Sequence, residues 1–127
     1  MSSKIIINTK NAPAPIGPYN QAVKVNNMLF VSGQIAINPI DSSINTSNIT
    51  EETHQVMKNL QAILTEAGMG FEHIVKTSIF LSDMNNFAAV NEVYGSYFTA
   101  NFPARETVQV SRLPKDVNVE ISVIASL

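Results

Sequence analysis

The chain has 127 residues, a net charge of −2, 45% hydrophobic and only 14% charged residues, and no cysteine. The length fits one domain with a proper core, residues 1–127, and the missing cysteine excludes disulfide and thiolate chemistry. No basic run is present, so a nucleic acid partner is not expected, and so few charges imply that another subunit covers part of the surface. No apolar stretch reaches the length of a membrane span, and the one near the N-terminus is too short for a signal peptide, so no membrane partner is expected and a cytoplasmic protein is the default.

Residues 4–8 read as a short first strand. Residues 11–18 hold three prolines and a glycine and read as a loop of fixed shape. Residues 19–25 and 28–36 form a hairpin about an Asn26-Asn27 turn, since Asn tolerates positive φ. The continuous apolar half of the second arm implies burial on both faces, and Gly33 marks a bulge or a close approach to the backbone. A helix begins near Asn48 or Thr50, carries Val56, Leu60, Ile63, Leu64 and Ala67 at helical spacing, and stops at Gly68. Residues 73–81 read as a strand. A second helix covers about 84–100 behind an Asp83 cap, with Phe87, Val90, Tyr94, Tyr97 and Phe98 as its apolar stripe. The order βββαβαββ is α+β, with two helices on one face of a mixed, mainly antiparallel, six-stranded sheet.

Residues 102–120 read as a closing hairpin. Val108 and Val110 alternate with Arg105, Thr107, Gln109 and Ser111 in its first arm; Val117, Val119, Ile121 and Val123 alternate with Asn118, Glu120 and Ser122 in its second. Matching valine face to valine face needs an even loop, which residues 113–116 supply, and puts Arg105, Thr107 and Glu120 on one polar face. That face is either a solvated surface with a scattered ion pair or a site for a small acid. In a site, the guanidinium fork would hold a carboxylate and the Glu would handle a proton.

Other chemistry has less support. His54 and His73 have no acidic or sulfur ligand at useful spacing, so no metal is expected, and both read as surface or capping residues. Ser32 lies in Ser-Gly-Gln, outside any nucleophile elbow. Tyr94 and Tyr97 read as core. Asn91 falls on or beside the apolar stripe, where a half-buried amide needs partners: it either ties helix to sheet or belongs to a site.

At these residues the chain resembles the reactive intermediate deaminase family, in its archetypal RidA subgroup. The likeness covers Ala14-Pro-Ile-Gly-Pro-Tyr-Asn-Gln-Ala22, Leu29-Phe-Val-Ser-Gly-Gln-Ile35 and Ile74-Val-Lys-Thr77. It continues through Phe87-Ala-Ala-Val-Asn-Glu-Val-Tyr94, Phe102-Pro-Ala-Arg105 and Arg112-Leu-Pro-Lys-Asp-Val117, leading to Glu120. The resemblance implies a chorismate-mutase-like fold, a homotrimer with a barrel-like centre, and sites in the clefts between subunits. It implies hydrolysis of 2-imino acids such as 2-iminobutanoate and 2-iminopropanoate to 2-keto acids and ammonia, without a cofactor. Arg105 would grip the substrate carboxylate and Glu120 would activate water. Tyr19 and Ser32 would line the pocket, Gly33 would admit the ligand close to the backbone, Asn91 would shape the cleft, and Thr107 would contact substrate. Many relatives carry Cys where this chain has Thr107, which bears on substrate range.

Overall fold

The computed structural model describes residues 3–127. Its elements are β1 (Ile5–Ile7), β2 (Ala22–Val25), β3 (Met28–Gln34), α1 (Ile49–Glu66), β4 (Ile74–Leu81), α2 (Phe87–Gly95), β5 (Ala104–Gln109) and β6 (Val119–Ser126). They form one six-stranded sheet in the order β1-β2-β3-β6-β4-β5, antiparallel except for β4 and β5. This is the expected α+β architecture. Among the described residues, no helix is long and apolar enough to cross a membrane.

Local chemistry explains most element ends. Asn48 caps α1, accepting from the Glu51 N–H at 2.8 Å, a contact of about 0.5–2 kcal/mol. Gly68, at φ 75°, takes the left-handed turn that stops it. Asn26, at φ 54°, turns β2 into β3. Asp83 caps a short 3-10 turn, Met84–Asn86, rather than the helix itself, and α2 ends at Gly95 instead of near Ala100. His73 is a capping residue, its Nδ1 accepting from the Gly70 N–H at 2.9 Å.

One sheet face packs on the helices. Leu29, Ile79, Leu81, Val119, Ile121 and Val123 meet Val56, Met57, Leu60, Ile63 and Leu64 of α1 and Val90 of α2 in one core. The other face is open in the single chain. A row of directly paired residues crosses it from Ile6 through Val23, Phe30 and Ile124 to Lys76. Phe30 is 45% exposed there, so within the single chain β3 buries only one of the two faces expected.

The closing hairpin does not form. Strand β5 returns through α2 to lie parallel to β4, the crossover geometry of a βαβ unit, and β6 inserts between β3 and β4. Burial explains the swap. Val119, Ile121, Val123 and Ala125 are all buried, as a central strand requires, whereas β5 carries Arg105 and Glu106 and suits an edge. The register follows from β4 between them. Thr77 pairs with both Arg105 and Val123, and Ile79 with both Thr107 and Ile121. Arg105 and Thr107 therefore lie on the helix face. Glu120, paired with Phe80, lies on the open face, with Val108 on the far side of Phe80. The expected common polar face of Arg105, Thr107 and Glu120 is thus corrected: the two charged groups are on opposite sides of the sheet.

Candidate active site

Two cavities that share no lining residue hold most of the expected site residues: Tyr19, Gly33 and Glu120 line one, Asn91 and Arg105 the other, and Ser32 and Thr107 line neither. The first lies around Glu120 on the open face. The β3 ladder shifts register between Val31 and Gln34, and this bulge brings the Gly33 backbone against Glu120. A Cβ on Gly33 would sit 2.8 Å from Glu120 Cδ and closer still to Oε2, so any other residue would displace the carboxyl. Tyr19, Ile16, Ile35, Ile37 and Pro114 complete the wall. Burial raises the Glu120 pKa above its ordinary value of 4.5. Ser32 stands beside Gly33, and its Oγ donates to the Asn20 carbonyl at 2.6 Å.

Gln21 was not anticipated and shapes this half. It is buried, and its Nε2 donates to the carbonyls of Thr9, Ala12 and Pro13 at 3.0, 3.2 and 2.9 Å. One amide so fixes the proline-rich loop that carries Ile16 and Tyr19. A sequence signal was available: a Gln directly ahead of strand β2, next to a loop rich in carbonyls and poor in N–H donors.

The second cavity lies around Arg105, lined by Asn91, Tyr94, Gly95, Phe102 and Pro103. Arg105 Nη1 donates to Asn91 Oδ1 at 2.7 Å. Its guanidinium carbon is 5.2 Å from the Tyr94 ring centroid and 5.7 Å from that of Phe87, cation–π contacts of about 0.5–1 kcal/mol each near a surface. Phe87, Asn91 and Tyr94 follow i, i+4, i+7 spacing on α2, so one helix face builds the whole cradle. Tyr94 is core, as expected, and also a wall of the site; its hydroxyl donates to Thr77 Oγ1 at 2.9 Å. Asn91 is exposed rather than half-buried, and its partner is Arg105 of β5, so it ties helix to sheet and also lines the cavity. Thr107 follows on the same strand face, with its Oγ1 buried and without a hydrogen-bond partner.

A family model described as Endoribonuclease L-PSP (Ribonuc_L-PSP) matches residues 9–127. The chain belongs to this family, which includes the RutC and Rid proteins. It is 55% identical to a RutC family protein of Synechocystis sp. over 124 residues, covering 96% of this chain and 95% of that one. It is 45% identical over 127 residues to the human protein named 2-iminobutanoate/2-iminopropanoate deaminase, covering 98% of this chain and 93% of that one. Among solved structures, Escherichia coli TdcF with bound serine superposes with a TM-score of 0.93 at 41% identity, covering 97% of this chain and 98% of that one. The family resemblance read from the motifs is thereby established.

Proposed function

We propose that this chain hydrolyses reactive 2-imino acids, including 2-iminobutanoate and 2-iminopropanoate, to 2-keto acids and ammonia. The deaminase relatives support the reaction class. The observation that carries it for these residues is the pairing of chemistries: an anchored guanidinium in one cavity and a half-buried, raised carboxyl in the other.

Arg105 grips the substrate carboxylate with the part of its fork that Asn91 leaves open. Glu120, ionised, takes a proton from water as the water oxygen bonds to the C=N carbon and the π pair moves to nitrogen. The protonated Glu120 then returns the proton to that nitrogen. As the C–N bond breaks and ammonia leaves, the hydroxyl oxygen closes the C=O bond and gives its proton to the ionised Glu120. Glu120 passes it to the departing ammonia, so ketone and ammonium are released. A protonated imine is already a good electrophile, so orientation and one proton shuttle suffice, and the scheme calls for no cofactor. Tyr19, Ser32, Gly33 and Thr107 contribute polar contacts around the substrate.

Both charges must meet one substrate, yet they lie on opposite sheet faces. Two copies therefore share each site, one giving Glu120 and the next giving Arg105. Such a contact is head-to-tail and closes into a ring, here a homotrimer packed through the open apolar face. The test is a coupled assay with threonine dehydratase. Purified protein should accelerate keto-acid release, and Arg105→Ala should lose most of that acceleration at low imine concentration; no acceleration by the wild type would contradict the proposal.

The serine-bound TdcF structure favours a second possibility, a keto- or amino-acid-binding regulatory protein without turnover. Glu120→Gln separates the two: a binder loses nothing, whereas the enzyme keeps affinity and loses rate. An RNA substrate, suggested by the family's description, finds little electrostatic footing on a chain of net charge −2 without a basic run.

A further inference from the structure

Glu52 has no role in the scheme above. It lies in the first turn of α1, where an exposed acid would simply complement the helix dipole. Instead it is fully buried, at 0% exposure. The ion pairs among the described residues are Lys76–Glu106 and Arg112–Asp116, so no cation compensates it. A buried carboxylate is costly unless its oxygens are satisfied by other donors. A single residue, 66 positions away, satisfies both. The Asn118 backbone N–H donates to Oε2 at 2.7 Å, and Asn118 Nδ2 donates to Oε1 at 2.8 Å.

Asn118 sits where the β5–β6 crossing enters β6, two residues before Glu120. It is also tied to the end of β4: its carbonyl accepts from the Ser82 N–H at 3.1 Å and its Oδ1 from Ser82 Oγ at 3.3 Å. The crossing itself is strained. Lys115 and Asp116 both have φ 56°, a left-handed conformation that non-glycine residues adopt at a cost. Pro114 of the same crossing is a wall of the Glu120 cavity. A strained segment holds its shape only where its surroundings over-determine it. Buried Leu113 and Val117 anchor this one by packing, and Glu52 anchors its exit by charge-assisted hydrogen bonds.

We infer that Glu52 is a positioning residue for Glu120, holding the entry to β6 and the Pro114 wall through the two Asn118 hydrogen bonds. The catalytic consequence rests on the imine-hydrolysis proposal; the structural consequence does not.

The test compares wild type, Glu52→Gln and the double variant Glu52→Gln with Asn118→Asp, each as the whole protein. Gln offers one acceptor where Asn118 presents two donors, so one hydrogen bond is lost; the double variant exchanges amide and carboxylate and restores both. In Glu52→Gln, kcat on 2-iminobutanoate should fall about ten- to a hundredfold through misplacement of Glu120. KM should stay within about threefold, because the Arg105 half is untouched. The double variant should recover most of the rate. The Glu120 carboxyl titration, followed by carbon NMR, should move toward the ordinary 4.5 in Glu52→Gln and return in the double variant. Wild-type kcat with an unmoved Glu120 titration in folded Glu52→Gln would overturn the inference, as would a double variant that recovers neither. If Glu52→Gln does not fold, Asn118→Ala, which removes the Nδ2 donor to Glu52 and the Oδ1 acceptor of Ser82 but keeps the backbone N–H to Glu52, is read in the same way with a smaller loss expected. If the wild type itself hydrolyses no imine, the proposed function fails and the Glu120 titration alone decides the role of Glu52.

Discussion

In the Arg105 half, a permanent charge is held between two aromatic rings and an amide on one helix face. In the Glu120 half, a titratable charge is half-buried against a glycine backbone and a proline-rich loop. The first environment orients a charge while leaving it available to an anion; the second destabilises a charge and so makes it basic. Binding asks for the one and proton transfer for the other, and the sheet keeps them on separate faces. In the proposed reaction neither half would suffice within a single chain, and the open apolar face that would join them to a neighbour is the same face that carries Glu120.

Breaking the halves one at a time should give unlike kinetic signatures. Glu120→Gln removes the proton acceptor and should lower kcat about 10²–10⁴-fold with keto-acid affinity retained, as read by steady-state kinetics and calorimetry. Arg105→Ala should lose about 10²-fold or more in kcat/KM, mostly through KM, and Arg105→Lys should recover only a small part because the fork is lost. Joining the halves is a separate requirement. Phe30→Asp on the open face should yield monomers by analytical ultracentrifugation, with activity lost in step although neither charged residue is altered. The smallest kinetic effect belongs to Asn91→Ala, which frees the exposed guanidinium and should raise KM by about tenfold or less with kcat nearly unchanged.

The pH dependence sharpens the same contrast. Glu120 must be ionised to accept a proton, so kcat should fall as pH drops through its raised pKa, whereas binding through Arg105 should not change over that range. Stability runs the other way. A carboxyl whose pKa is higher folded than unfolded favours the native state below 4.5, and that contribution disappears as pH rises through the folded value. Glu120→Gln should therefore gain in Tm relative to wild type between acid and neutral pH, while the Arg105 variants should not.

Element order and most element ends were legible from spacing and caps: Asn48, Gly68 and the Asn26 turn each act as their chemistry suggests. Strand pairing was not. Two neighbouring alternating arms look like a hairpin locally, and only the demand of β6 for burial on the helix face, competing with the charges of β5, places β4 between them. Parity within each arm survives, but which arm faces which depends on that third strand. Arg105 and Glu120 were therefore found by residue type and motif, and the face they were given was wrong. The Phe87–Asn91–Tyr94 cradle was legible at i, i+4, i+7 spacing, though Tyr94 as core concealed Tyr94 as wall. Glu52 was hidden because an acid in a first helical turn already has an ordinary explanation.

The shared site is tested most directly by mixing two inactive proteins. Glu120→Gln and Arg105→Ala chains, carrying different tags, are co-expressed, and assemblies bearing both tags are isolated and assayed. If each site takes Glu120 from one copy and Arg105 from the next, every trimer bearing both tags rebuilds one of its three sites, and activity should rise to about a third of wild type. Activity no higher than that of the two parents, in assemblies shown to contain both chains, would contradict a site divided between subunits.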